Sequence, residues 1–218
     1  MKTRMYSAFV ALTMLTACSQ RETKTVTETS QPEAEVVTVT PTDFKVNEES
    51  STIEWKGNAP DHFHTGAFKV KGSLKTDGKG KITSGDFTNP VASITNFDLT
   101  DPDVREQLLN HLKSADFFNM AVHPNTTFHI TKVEPYSSGS SSSVNTMITG
   151  DFTMIGQTHS VEIPAEVKFE YGKMSAEGNF KLNRLTWGMN NYNDPNSDLY
   201  ILPEVDLTLK LYLDASGS

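Results

Sequence analysis

Between Phe44 and Leu213 the chain alternates apolar and polar residues in short runs: Ile53-Glu54-Trp55, Phe68-Lys69-Val70-Lys71, Phe128-His129-Ile130, Val161-Glu162-Ile163, Val167-Lys168-Phe169, and residues 207–213. A period of two places successive side chains on opposite faces, so these runs predict half-buried antiparallel strands. Turn chemistry separates them at Asp77-Gly78-Lys79-Gly80, at the Ser-rich stretch 137–143, at Gly156-Gln157-Thr158 and at Tyr171-Gly172-Lys173, and each is expected to close a hairpin. One segment, residues 102–114, carries a helical period instead. Thr100 and Asp103 are spaced as a capping box, Pro102 suits the first turn, and Val104, Leu108 and Leu112 share one stripe. Many short strands, one short helix and no strand–helix–strand alternation predict a mainly β, antiparallel barrel or sandwich.

The apolar face of these strands carries the first functional question. Phe68, Val70 and Leu74 alternate with Lys69, Lys71 and Ser73; Val167 and Phe169 with Glu166 and Lys168; Met174, Ala176, Phe180 and Leu182 with Ser175, Glu177 and Lys181. In a sandwich such a face is filled by its neighbours, whereas an eight-stranded barrel has room for one small ligand. Pattern alone favours core filling over a cavity, because apolar stripes are usually core.

Composition divides the chain. The apolar share of 36% reaches about 42% with the 13 Gly added, below an ordinary globular chain, so part of the length is not core. Residues 1–17 read as a signal peptide, with Lys2 and Arg4 ahead of an apolar run too short to span a bilayer. Leu15-Thr16-Ala17-Cys18 resembles the bacterial lipobox, which implies cleavage before Cys18 and lipid attachment to it. That reading explains why the single Cys of the chain stands there. Loss of Lys2 and Arg4 takes the formal charge from -8 to -10. Residues 19–42 hold no aromatic residue and no Gly, the composition of a spacer, although Val37-Thr38-Val39 offers a marginal strand. The expected organisation is a signal over 1–17, a lipidated Cys18 with spacer over 18–41, and a barrel domain over 42–214.

Charge and motifs then remove function classes. An acidic surface lacks the basic patch that nucleic-acid binding needs. No Gly-x-Ser-x-Gly elbow, no Gly-rich phosphate loop entering a helix and no carboxylate in an apolar setting occurs, so neither an enzyme nor a nucleotide cofactor is expected. His62 and His64 fall on the same side of a strand and could face one metal, but two ligands do not make a site, and a rim or hydrogen-bonded pair is the alternative. No metal and no cofactor is therefore assigned. His111, at the edge of the helical stripe, reads as a helix-docking residue.

Several blocks in fixed order resemble the YceI-like family of exported lipid-binding proteins. They are His62-Phe63-His64-Thr65-Gly66-Ala67-Phe68; Gly85-Asp86-Phe87 with Ser93-Ile94-Thr95-Asn96-Phe97-Asp98; Leu109-Asn110-His111-Leu112-Lys113-Ser114-Ala115-Asp116-Phe117-Phe118; Pro124-Asn125-Thr126-Thr127-Phe128; Thr149-Gly150-Asp151-Phe152-Thr153-Met154-Ile155-Gly156-Gln157-Thr158; and Phe180-Lys181-Leu182-Asn183-Arg184-Leu185-Thr186-Trp187-Gly188. The resemblance covers residues 42–214. It implies a single lipocalin-like β-barrel of about eight strands, with residues 97–118 as a helix-bearing excursion near one end. It also implies an apolar channel for a polyisoprenoid or similar long-chain amphiphile, without catalysis.

Combined with the alternation, this makes Phe68, Val70, Phe87, Phe169, Phe180 and Leu209 the candidate ligand-lining residues and Cys18 the lipid-attachment site. The expected role is storage, transport or sensing of a lipid in the envelope of a Gram-negative bacterium, from the periplasmic face of the outer membrane, a placement with which Ser19 is compatible. The competing readings are an envelope interaction protein with a filled barrel and, further off, a metal or redox role at His62 and His64. Homo-oligomerisation is left open.

Overall fold

The structure, a computed structural model, describes residues 42–137, 139 and 142–216. The expected signal peptide, Cys18 and the spacer up to residue 41 lie outside the described residues. Among the described residues eleven strands and one α-helix follow in chain order. They are β1 (Thr42–Val46), β2 (Thr52–Asn58), β3 (Phe63–Lys69), β4 (Lys71–Thr76), β5 (Ile82–Pro90), β6 (Thr95–Asn96), α1 (Pro102–Lys113), β7 (Asn125–Pro135), β8 (Thr146–Met154), β9 (Gln157–Glu170), β10 (Lys173–Asn183) and β11 (Glu204–Ala215).

The antiparallel order β1-β4-β5-β7-β8-β9-β10-β11 closes where β1 pairs with β11, giving an eight-stranded barrel. β2 prolongs β1 along the same partner, with Phe44 opposite Ala215 and Trp55 opposite Leu207. The chain leaves the ladder between them, and the buried Ser51 bridges the gap: its hydroxyl donates to Tyr212 O and accepts from Tyr212 N. β3 and β4 are likewise one run broken at Val70, which stays buried while the partners change from β2 and β6 to β1 and β5.

Two tight turns have both central residues at positive φ, Ile155-Gly156 and Tyr171-Gly172, the geometry whose twist matches antiparallel strands. The first lies one residue earlier than the sequence reading, since Gln157 already pairs with Met154. Asp77 Oδ1 organises the β4–β5 turn by accepting from the backbone of Lys79 and Lys81.

Helix α1 forms as expected, with two corrections. Its N-cap is Asp101, which accepts from the backbone N–H of Asp103 and Val104, rather than Thr100; Pro102 at the first helical position leaves the cap to the residue before it. Val104 is 46% exposed and leaves the packed stripe, which consists of Leu108, Leu109 and Leu112. Leu109 and Leu112 pack on Trp55, Phe68 and Ile94.

Strand polarity distributes the connections unequally. The helix-bearing excursion 91–124, the β2–β3 loop and the β10–β11 connection 184–203 all fall at one end. The other end has the β4–β5, β7–β8 and β9–β10 turns and the start of β1. The first is called the open end below, and the second the closed end.

Candidate functional site

Alternating positions point into the barrel, and they do not fill it. A cavity of about 280 Å³ remains inside, near the lower end of the ~300–1,000 Å³ range of small-molecule sites. On β11 the wall is Val205, Leu207, Leu209 and Leu211, and on β10 it includes Met174, Ala176, Phe180 and Leu182. From Val205 to Leu211 is roughly 20 Å along the strand at about 3.3 Å per residue, so this volume is drawn out as a slot rather than gathered into a chamber. Phe44, Val46 and Leu213, buried beyond the last lining residues, pack the closed end.

Of the residues proposed from the sequence, Phe68, Val70, Phe87, Phe180 and Leu209 line this cavity. Phe169 does not. It stands opposite Met174 and so on the predicted side of the sheet, but it lies at the last turn of β9, 38% exposed, with its ring edge-on to Phe44 at 5.9 Å. Alternation assigned its face correctly; its height puts it below the cavity, on the closed end.

The open end is built from three elements. α1 contributes Leu108, His111 and Leu112, the segment after it Phe117 and Phe118, and the β10–β11 connection Met189 and Ile201. Phe118 meets Phe68 edge-on at 5.4 Å, and Phe117 stacks on Tyr192 at 5.6 Å. His111 docks the helix as expected: its Nε2 lies 3.1 Å from both Asp116 Oδ2 and the Tyr192 hydroxyl.

Arg184, which the sequence reading did not single out, holds the β10–β11 connection in place. Its side chain is 3% exposed, and all five guanidinium N–H groups go to backbone carbonyls: Nε to Leu202, Nη1 to Met189 and Asn191, Nη2 to Tyr192 and Ile201. Burial pulls its pKa down from the ordinary value. With every donor used inside the protein, Arg184 shapes the mouth but has no hydrogen bond to give a ligand. Trp187, also buried, donates from Nε1 to Phe152 O and completes the same corner.

His62 and His64 also line the cavity, their rings edge-on at 5.5 Å. They bond to different carboxylates: His62 Nδ1 to Asp61 at 2.6 Å and His64 Nδ1 to Asp98 at 2.7 Å. Asp98 also accepts from the Thr65 backbone N–H, the Thr65 hydroxyl and Asn96 Nδ2. Burial alone would raise its pKa, but the Thr65 N–H, His64 and Asn96 outweigh that and hold it at about 2. Among the described residues no group of three or more His, Cys, Asp or Glu is placed to hold a metal.

Trp55 and Gly66, opposite one another on β2 and β3, fit as a unit. A Cβ on Gly66 would fall 1.8 Å from Thr95 O and 2.7 Å from the Trp55 ring, so only glycine lets the indole and β6 approach this closely.

Comparison with known proteins places this geometry. The model of the YceI-like domain matches residues 44–213. Burkholderia cenocepacia BcnA superposes with a TM-score of 0.62 at 21% identity, over 77% of this chain and 98% of that one. A polyisoprenoid binding domain from Saccharophagus degradans, implicated in plant cell wall breakdown, gives 0.56 at 11% identity, over 79% and 98%. The Campylobacter jejuni YCEI protein gives 0.52 at 19% identity, over 74% and 85%. No curated protein matches the chain.

Proposed function

The chain belongs to the YceI-like domain family, and on that premise we propose that it is a binding protein that holds the hydrocarbon part of a polyisoprenoid or other long-chain amphiphile inside the barrel. The observation that carries this reading is the elongated apolar cavity, which is closed by packed side chains at one end and bordered by α1 and two loops at the other. A single-chain ligand matches a slot; a compact polar substrate does not. The structural similarity to a domain described as polyisoprenoid binding supports the same choice. The role is binding rather than catalysis. Burial of ten methylenes is worth roughly 8 kcal/mol gross, and association costs several kcal/mol of this, so useful affinity calls for a chain at least that long.

The lipobox-like start of the sequence extends the proposal to an exported lipoprotein anchored through Cys18, facing the periplasm from the outer membrane of a Gram-negative bacterium, where it stores, carries or senses its lipid. Native mass spectrometry of the purified protein, followed by organic extraction, tests the binding reading. A stoichiometric co-purifying long-chain lipid is expected, and a protein that is empty and takes up no added chain would overturn the reading in favour of a surface interaction role. Cys18→Ser tests the anchor separately: the variant should leave the membrane fraction, and full retention there at moderate salt would refute it.

A further inference from the structure

The cavity stops against a layer of side chains whose places follow from the strand register. Leu74 and Met174 are the deepest wall residues of β4 and β10. Phe44 stands opposite Leu74, and Met174 stands between Leu213 and Phe169 across its two ladders. Phe44, Phe169 and Leu213 belong to the closed end and line no part of the cavity. Phe169 meets Phe44 edge-on at 5.9 Å, and Val46 faces Leu213. The residue that alternation placed in the wall is thus part of the floor.

This floor is held on every side. Phe44, Leu74, Met174 and Leu213 are each at most 3% exposed. β1 pairs with β4 along one edge and β11 along the other, and β10 pairs with β11 without a break from Lys173 to Asn183. Close-packed side chains on such ladders do not admit extra methylenes, because overpacking forces them off their rotamers and shifts backbone. The open end is bordered by α1 and two loops instead. A chain that enters the slot is therefore stopped at the floor, and whatever does not fit stays at the mouth.

Two measures of the slot bound the chain it can take. From Val205 to Leu211 the wall runs roughly 20 Å, and an extended hydrocarbon advances about 1.25 Å per C–C bond, which allows about sixteen carbons. The volume of about 280 Å³ is more restrictive: at close to the ~30 Å³ that a water molecule takes in the liquid, it holds about nine or ten methylene-sized groups. Neither measure leaves room for a second chain alongside the first.

Building on the proposed chain binding, we infer that the closed end is a chain-length gauge, set by Leu74, Met174 and the floor beside them. The ligand it selects is a single-chain lipid with about ten to sixteen buried carbons, such as a monoacyl or alkyl chain or the first two or three units of an isoprenoid.

Equilibrium dialysis of the purified full chain, stripped of co-purifying lipid, against radiolabelled straight-chain alcohols from hexanol to eicosanol reads one affinity per chain length. Affinity should climb about three- to fourfold per carbon, the worth of one buried methylene, up to a break between decanol and hexadecanol, and by less than about 1.5-fold per carbon beyond it. Met174→Ala removes, and Ala176→Leu adds, side-chain bulk equal to about two or three chain carbons near the deep end, so the break should move to longer alcohols in the first and to shorter ones in the second by about that many carbons. The position of a break does not depend on overall affinity, so a general loss of stability does not mimic the shift, and the wild-type break decides if a variant fails to fold. A break outside that range, affinity still climbing about threefold per carbon at eicosanol, or the same break in the wild type and both variants overturns the gauge and leaves chain binding standing. Failure of every alcohol to bind overturns chain binding as well.

Discussion

Replacing Arg184 by Met keeps the length and apolar stem of the side chain and removes its five donors, which leaves the carbonyls of Met189, Asn191, Tyr192, Ile201 and Leu202 without their shared partner. Hydrogen bonds to a charged donor contribute about 1.5–3 kcal/mol each, and five of them taken at face value would equal the whole stability of a typical domain. The molecule has a less costly way out. The connection 184–203 lies at the open end, so it can detach locally and let water take the carbonyls, which limits the global loss to about 2–4 kcal/mol.

Urea unfolding should therefore show a lower midpoint at an unchanged slope, and hydrogen exchange should show lost protection at Ile201 and Leu202, whose amides donate to Tyr192 O and Asn58 O. Arg184→Lys should recover less than half of the loss, because three donors on a tetrahedral ammonium cannot reproduce a planar five-donor fork. A change below about 1 kcal/mol with the exchange pattern intact would refute this account of Arg184 as the clamp of the mouth.

Phe180→Trp narrows the slot partway along β10, so affinity should fall more for longer alkyl chains than for shorter ones; equal weakening at all lengths in a binding series would point to a loss of stability instead. Asp98→Asn should flatten acid unfolding. With its folded pKa lowered to about 2, the carboxylate contributes stability that is complete above about pH 4 and lost as the pH falls towards 2, on the order of 1–2 kcal/mol given its partial exposure. A denaturation series between pH 5 and 2 reads this, and identical acid limbs for the two proteins would contradict it. Leu108→Asp places a carboxylate on the cavity side of α1 and should cost several kcal/mol or most of the bound chain; unchanged melting and unchanged chain affinity would show that position to be solvated.

The barrel was legible because its interior and exterior alternate over long strands. Leu207, Leu209 and Leu211 on β11 and Met174 and Ala176 on β10 read inward from sequence and are inward. The same periodicity says nothing about height, which is why Phe169 fell on the right face but outside the cavity. On the helix, the expected stripe keeps Leu108 and Leu112 and loses Val104, and only the packing of Leu109 on Trp55 and Phe68 shows which way its apolar face extends. The N-cap could have been read correctly, because Pro102 at the first helical position already points to Asp101. Arg184, Trp55 and Asp98 were out of reach. The role of Arg184 depends on carbonyls up to 18 residues away, and that of Asp98 on His64 at a separation of 34. Neither has a local pattern.

The two ends of the barrel are built differently, and strand polarity explains why. At the closed end the β4–β5 and β9–β10 turns are short, and Phe44, Val46, Leu74 and Leu213 pack there with almost no exposed surface. At the open end the chain spends residues 91–124 and 184–203 on connections fixed by a few contacts of long sequence separation: the Arg184 fork, the His111–Asp116–Tyr192 cluster and the Phe68–Phe118 edge contact. Elements held this way open at lower free energy than the ladders beneath them, and a ligand that must enter a closed barrel needs that difference. The strand that would receive a tether, β1, starts at Thr42 on the closed end. An anchor of the proposed kind, attached there, would leave the open end free to exchange the proposed chain.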